Sequence, residues 1–205
     1  MNINLHQYID NIISSYSSEF LSDAQKEYFK LTGSVNEDDD DYESKMNLFH
    51  DWYVLNFIPL DTGKKILSSY IDSSSINNEV GKAINSTVNY SLFKYNGLKS
   101  QGRNLVLDLI NKEKYQFLSD IEFPAIVKGD IFVGRSISLN QQNILFKGVC
   151  ILPKEISSTL LEKIINKLKM SEGRDRISSL LRLEFFTFKF ARYKHLSAEQ
   201  VFKYS

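Results

Sequence analysis

"FHDWYVLNF", residues 49–57, is the stretch that decides the fold, because its apolar side chains cover most of a helical surface. Phe49, Trp52, Tyr53 and Phe57 recur at the spacings of three, four and eight residues that belong to one broad helical face. Neighbouring leucines widen this face. Since only a central element needs apolar residues on so many sides, we predict that these four residues are core and that their helix lies between two layers.

The histidine and aspartate inside this stretch are the first catalytic candidates. Adjacent residues of a helix point about 100° apart, so Asp51 cannot orient His50 within one helix. A catalytic pair would need a partner from elsewhere in the chain. We therefore predict that His50 is structural or solvated.

The sequence before this helix predicts two further helices and an acidic loop. Apolar residues fall at helical spacing from Ile3 to about Leu31, with a break around "SSYSSE" and a glycine stop shortly afterwards. The run "NEDDDDYES", residues 36–44, is expected to be a solvated loop because its like charges repel. Its acids are contiguous and no glycine interrupts them, so it does not match an EF-hand calcium loop.

Short elements are expected after Pro59, which disfavours helix at the residue before it. Thr62 is expected to cap a helix over residues 63–72, and a second helix is predicted over about 76–88, after Ser75.

From Tyr90 onward the pattern changes from helical to extended. Five stretches rich in aromatic and β-branched residues are separated by turn signals at hairpin spacing. They are "YSLFKYNGLK", "NLVLDLI", "KYQFLS", "DIFVGRSISL" and "NILFKGVCIL". This spacing predicts an antiparallel meander, curled into a small barrel or a strongly twisted sheet.

The C-terminal part is predicted to be helical. Pro153 is expected to open a helix through "PKEISSTLLEKIINKLK". Residues 176–196 fit both a strand and a helical stripe, and we predict a helix because they run about 20 residues without Gly or Pro, longer than strands usually are. A short final helix is expected to be capped by Ser197.

Together these elements predict an α+β fold. It consists of helices over residues 1–88, a five-stranded antiparallel part over 89–152 and C-terminal helices over 153–205 that pack back to form one compact unit. The 42% hydrophobic and 13% aromatic content is too high for a disordered chain.

Residues 48–153 resemble an uncharacterised bacterial family. The resemblance rests on the helix "FHDWYVLNFIPLDTGKKILSSYI" and on the strands "SLFKYNGLKSQGRNLVLDLINKEKYQFLSD" and "VKGDIFVGRSISLNQQNILFKGVCILP". The recurring positions are Trp52, Asp108, Gly129, Asp130 and Arg135. The resemblance implies no activity. Some similar proteins end in a cysteine-rich SEC-C metal-binding motif, but the last fifty residues of this chain contain no cysteine, so a zinc role does not carry over.

Other catalytic or cofactor sites are not indicated. Cys150 lies between apolar residues and is predicted to be core, and the three histidines show no metal-ligand spacing with it. Phosphate-binding loops and the GxSxG nucleophile motif are absent from the sequence, so no metal or cofactor is expected. Asp130 is expected in a turn and Arg135 to reach a carboxylate across the barrel.

The charge is uneven along the chain although it sums to zero. Residues 1–60 hold 3 Lys or Arg against 11 Asp or Glu, whereas residues 154–205 hold 11 against 6. Such ends can attract each other within one molecule or between copies. A basic patch is predicted from residues near the end of one C-terminal helix and the start of the next. It comprises Lys163, Lys167, Lys169, Arg174 and Arg176.

These features favour a non-enzymatic module that binds a protein partner or itself through this patch. The alternative is a nucleic-acid-binding protein that uses the same patch with Tyr95 or Tyr115 as stacking platforms. An enzyme assembled from distant residues stays open, since catalytic groups meet in space. Without a signal peptide or an apolar run of membrane-spanning length, a cytoplasmic location and no membrane partner are expected.

Overall fold

The computed structural model describes residues 4–16, 18–73, 79–99, 102–118, 124–139, 141–193 and 195–203. These residues form eight helices and one five-stranded sheet in an α+β arrangement. Five helices precede the sheet: α1 Leu5–Ser14, α2 Ser18–Thr32, α3 Tyr42–Leu55, α4 Ile66–Ser73 and α5 Glu79–Thr87. The strands are β1 Asn89–Lys99, β2 Arg103–Asp108, β3 Lys114–Leu118, β4 Ile131–Leu139 and β5 Gln142–Ile151. Three helices follow: α6 Ser158–Met170, α7 Gly173–Arg192 and α8 Ala198–Val201.

The sheet is mixed, so the predicted antiparallel meander is wrong. Its strands close on themselves in the order β1-β2-β3-β5-β4, and every strand has two neighbours. Four of the pairs are antiparallel, whereas β3 and β5 are parallel where Phe117 pairs with Asn143. The cause is topological, because an odd number of strands cannot close with every neighbouring pair antiparallel.

The closed sheet has its own small core, made by aromatic and aliphatic side chains that alternate along the strands. The buried members are Phe93, Tyr95, Val106, Phe117, Ile126, Phe132 and Leu145. The hydroxyl of Tyr95 is also satisfied there, since it donates to Oδ1 of Asn104 at 2.7 Å. These alternate residues face inward because side chains of a strand point to opposite sides of the sheet.

The larger core lies between the outer face of the sheet and the helices, and α3 is its central element. Phe49, Trp52 and Tyr53 of α3 are between 0 and 3% exposed. Phe57 is also buried, but it lies beyond the helix, which ends at Leu55 because Asn56 leaves helical geometry. The backbone amide of Phe57 still donates to the Trp52 carbonyl at 3.2 Å, which keeps its ring against this core.

Several helix boundaries differ from the sequence prediction. Helix α4 begins at Ile66, so Thr62 is not its cap. Helix α6 begins at Ser158 and is capped by Ser157, whose hydroxyl accepts from the Leu160 amide, whereas Pro153 lies in the preceding loop. A serine that satisfies a free amide starts a helix more effectively than a proline that only fixes φ.

Other helix predictions are confirmed. Helix α7 is a single 20-residue helix, so the ambiguous stretch that begins at residue 176 is helical as predicted, but only as far as Arg192. Ser197 caps α8 and forms a capping box with Gln200. The start of the helix predicted over about 76–88, with Ser75 before it, lies outside the described residues, and its described part is α5.

Candidate functional site

A buried polar cluster lies where the sheet meets the helices. Its centre is Glu184 of α7, which is 0% exposed and accepts hydrogen bonds from the hydroxyls of Tyr28 on α2, at 2.8 Å, and Tyr90 on β1. The guanidinium carbon of Arg135 on β4 lies 3.9 Å from the centroid of the Tyr90 ring. One acidic side chain therefore joins a helix of each end of the chain to the sheet.

Arg135 is 0% exposed, and its three guanidinium nitrogens have no hydrogen-bond acceptor among the described residues. It is expected to remain charged, because a guanidinium is not deprotonated in proteins, and the negative charges of Glu184 and Asp51 act on it favourably. The prediction that it reaches a carboxylate across the barrel is wrong. Arg135 is two residues from both Val133 and Ile137, which belong to the larger core. Residues two apart on a strand share a face, so the Arg135 side chain leaves the sheet toward the helices.

Asp51 of α3 also belongs to this buried region, which no local sequence pattern indicates. Its Oδ2 accepts the amide of Gly148 on β5 at 3.0 Å. This amide is free of the sheet because the pairing of β4 with β5 shifts between Gly134 and Ser136. Burial raises the pKa of Asp51 to about 7, against the opposing effects of Arg135 and the Gly148 hydrogen bond.

The cluster does not have the properties of an active site. Glu184, Arg135 and Asp51 are at most 4% exposed, and a catalytic group has to touch its substrate. Burial likewise raises the pKa of Glu184 and of the Cys150 thiol, which disfavours a reactive thiolate. The arrangement fits a structural role in joining the layers.

A second aspartate, Asp108 at the end of β2, is saturated by its own turn. Its Oδ1 accepts the Ser91 hydroxyl at 2.8 Å and the amides of Ile110 and Asn111 at 2.8 and 3.0 Å. Its Oδ2 accepts side-chain amides of Asn89 and Asn111. Asp130 similarly accepts the Val127 amide at 2.9 Å, as expected of a turn. Both carboxylates hold loops, and Asp108 has little capacity left for a ligand.

The predicted basic patch divides into two parts. Lys163, Lys167, Lys169 and Arg174 are exposed. Arg176 is half-buried, and its Nε donates to the carbonyls of Leu168 and Ser171, at 3.2 and 2.9 Å, where α6 ends. The first four are free to meet a partner, whereas Arg176 holds the connection between α6 and α7.

An open groove of about 420 Å³ runs between α6 and the end of β2, and we call it the α6 groove. Half-buried apolar side chains form its floor and polar ones its rim, with the saturated Asp108 in the wall. The floor residues are Leu107, Leu109 and Ile165, and the rim residues are Lys112, Glu162, Asn166 and Lys169. Lys169 is the one member of the predicted basic patch that lines the groove, while Lys163 and Lys167 lie on another side of α6.

The two proposed stacking platforms for nucleic acid differ in exposure. Tyr95 is buried inside the sheet and bonded to Asn104. Tyr115 is half-buried against the same small core, and its hydroxyl donates to Glu113 at 2.6 Å. The Tyr95 ring is therefore not placed to stack on a base, whereas Tyr115 stays the stacking residue of the alternative hypothesis.

The uneven charge is partly neutralised within the molecule. Arg192 at the end of α7 donates to Asp39 of the acidic loop at 3.1 Å. Within the described ranges, no three His, Cys, Asp or Glu side chains lie together in a way that could hold a metal ion. No described helix combines the length and apolar character needed to span a bilayer.

The sequence of the chain was compared with known families and proteins. DUF7986, a family of unknown function, matches residues 3–194. The chain belongs to this family. The match agrees with the resemblance to an uncharacterised family and extends over nearly the whole chain, not only residues 48–153. No curated protein and no solved structure matches the chain.

Sequence reasoning missed the two main features of this DUF7986 member. The buried cluster draws Tyr28, Asp51, Tyr90, Arg135 and Glu184 from five elements, and none of these residues is near another along the chain. An arginine in an otherwise apolar strand and a glutamate among phenylalanines were the available signals. The α6 groove had only Lys169 as a signal.

Proposed function

We propose that this protein is an interaction module that binds an acidic, partly apolar segment of a partner protein in the α6 groove. The observation that carries the proposal is the combination of an apolar floor with Lys112 and Lys169 on the rim. An apolar side chain of the partner would remove Leu107, Leu109 and Ile165 from water, which is favourable. The two lysines would attract acidic residues beside it and exclude basic segments.

The form of the groove supports a peptide segment as the ligand. The lining balances two lysines against the exposed Glu162 and the buried Asp108. The Asp108 carboxylate is already taken up by five hydrogen bonds, so Lys112 and Lys169 are the exposed cations that can meet an anionic segment. Protein interfaces commonly combine such an apolar centre with a charged rim. Because the groove is open to solvent along α6, a chain that continues in both directions can be accommodated.

Fluorescence anisotropy with a labelled peptide tests the proposal. The probe carries a Leu-Asp pair flanked by glutamates, and a control peptide carries lysines in place of its acids. Reversing the rim with Lys112→Glu and Lys169→Glu should raise the Kd of the acidic peptide by about tenfold or more, equivalent to about 1.4 kcal/mol.

The matched control is Lys163→Glu with Lys167→Glu. It makes the same change in net charge on α6, the helix that carries Lys169, but leaves the groove intact, so the Kd should stay within about twofold of the wild-type value. Equal losses in the two double variants would mean diffuse attraction and contradict a groove. Tight binding of the basic control peptide would contradict it as well.

Nucleic-acid binding stays a second hypothesis, favoured by the exposure of Lys163, Lys167, Lys169 and Arg174. The variant Lys163→Glu, Lys167→Glu, Arg174→Glu tests it with a labelled single-stranded RNA. Arg176 is left unchanged because its loss would disturb the end of α6. Unchanged RNA affinity in this variant would eliminate the site.

A further inference from the structure

We infer that the α6 groove receives the turn Pro59–Gly63 of a second copy of this chain, with the Leu60 side chain in the floor and Asp61 at the rim lysines. This inference rests on the proposed function and names the partner. It depends on the shape of the turn, its chemistry and its rigidity, in addition to the groove itself.

Leu60 is 100% exposed, the highest value among the large apolar side chains of the described residues. It is flanked by the buried Pro59 and by the exposed Asp61. A single exposed leucine is ordinary on a protein surface. This one stands at the tip of a turn, next to an acid, so it presents the apolar and anionic chemistry that the α6 groove accepts.

The turn is held in place before any contact forms. The Gly63 amide donates to the Pro59 carbonyl at 3.0 Å, and the Thr62 hydroxyl donates to the Lys64 carbonyl at 3.2 Å. Proline fixes its own φ, and Gly63 adopts a φ of 61°, which favours glycine. Because the turn is already ordered, inserting Leu60 costs less conformational entropy than ordering a flexible loop.

The Asp61 carboxylate is complementary to the two lysines of the rim, while Lys64, next to the turn, is already paired with Asp72 at 2.7 Å. Asp61 is exposed and would approach Lys112 or Lys169, which are exposed as well. The turn lies between α3 and α4, whereas the α6 groove lies between β2 and α6, so different elements of the chain form the two surfaces. Ile58, which is 45% exposed, adds apolar area beside Leu60.

Sedimentation velocity of the full chain from low micromolar to near-millimolar concentration tests this inference. A contact based on one leucine and one ion pair is small, so we expect weak, concentration-dependent association that high salt reduces. Leu60→Ser should weaken the association by about tenfold or more. Leu98→Ser is the matched control, because Leu98 is 63% exposed but lies on β1, and it should leave association unchanged.

Charge exchange identifies the contact. Asp61→Lys alone and Lys112→Asp with Lys169→Asp should each weaken association, and combining all three changes should restore it. A monomer at every concentration, or Leu60→Ser behaving like Leu98→Ser, would overturn the inference. Failure to restore association in the combined variant would overturn it too.

The two proposals can fail separately. Leu60→Ser leaves the groove unchanged, so this variant should still bind the acidic peptide with wild-type affinity. If it binds the peptide while the wild-type protein never associates, self-association is wrong but the interaction module stands. If neither binding nor association occurs, both proposals fail.

Discussion

At the scale of single residues, the most informative side chain is Asp51, whose carboxylate is buried against β5. Burial raises its pKa from 3.8 to about 7. The folded state therefore holds the Asp51 proton more tightly than the unfolded chain does. Its contribution to stability is fully present below about pH 4 and is lost as the pH rises through about 7.

This gives a prediction for Asp51→Asn, which keeps an oxygen for the Gly148 amide but cannot ionise. Between pH 5 and pH 7.5 the wild-type protein should lose stability, and Asp51→Asn should lose less, by about 1–3 kcal/mol. Burial also raises the pKa of Glu184, and its charge acts on Asp51. The difference between the two proteins therefore measures the ionisation of Asp51 together with its coupling to Glu184.

Urea unfolding at the two pH values, followed by far-ultraviolet circular dichroism, measures this difference. The wild-type protein serves as the reference for Asp51→Asn. Parallel pH dependences in the two proteins would show that Asp51 does not ionise in this range.

None of this residue-scale detail was visible in the sequence. Asp51 stands beside a histidine and a tryptophan. Its adjacency to His50 made the two residues a catalytic candidate, which helix geometry excluded as a pair. Its actual partners, Gly148 and Arg135, are 97 and 84 positions away along the chain. Helical periodicity placed Trp52 and Tyr53 in the core, because it reports which faces are apolar and not what a polar residue among them meets.

At the scale of elements, the close approach of α3 to β5 defines the helical face of the sheet. A Cβ on Gly148 would lie 2.4 Å from Oδ2 of Asp51 and 2.8 Å from the Cα of Leu48. The second atom is helix backbone and cannot move aside as a flexible side chain can. The absence of a side chain at Gly148 therefore sets how closely α3 can approach β5.

Gly148→Ala should accordingly destabilise the protein by about 2–4 kcal/mol, since α3 must shift along its contact with β5. Gly134→Ala is a graded control, because its Cβ would meet the Phe132 ring at 3.3 Å and no backbone atom among its nearest neighbours. Chemical denaturation should give the larger loss for Gly148→Ala. Equal losses would argue against a backbone contact at this position.

Strand positions were predictable from the sequence, but strand order was not. Alternation and turn residues located all five strands, because these signals are local. The order depends on which strand pairs with β1 after the chain passes residues 119–130, and no local pattern encodes that choice. The meander placed each strand next to the following one, whereas closure requires β4 beside β1 and β5 beside β3.

At the scale of the whole molecule, the Glu184 cluster links the two helical ends of the chain to the sheet. Tyr28 comes from α2, Glu184 from α7, and Tyr90 and Arg135 from β1 and β4. Removing one of two buried opposite charges lowers the stability of the protein, because the other charge is left uncompensated. Removing both together is much less costly.

A double-mutant cycle measures this coupling. Arg135→Met alone should cost about 3–5 kcal/mol, because the Glu184 charge stays buried without it. Glu184→Gln alone should also destabilise the protein, since the buried Arg135 then loses the favourable charge of Glu184. The combined variant should be more stable than the sum of the two losses by at least about 1 kcal/mol.

Urea unfolding of the four proteins, followed by the fluorescence of the single tryptophan Trp52 and by circular dichroism, provides the cycle. Coincident transitions by the two probes would show that helices and sheet unfold as one unit, as a shared cluster requires. Additive losses would mean that Arg135 and Glu184 stabilise the molecule independently. In that case the apolar core around α3, rather than the charged cluster, would be what joins the layers.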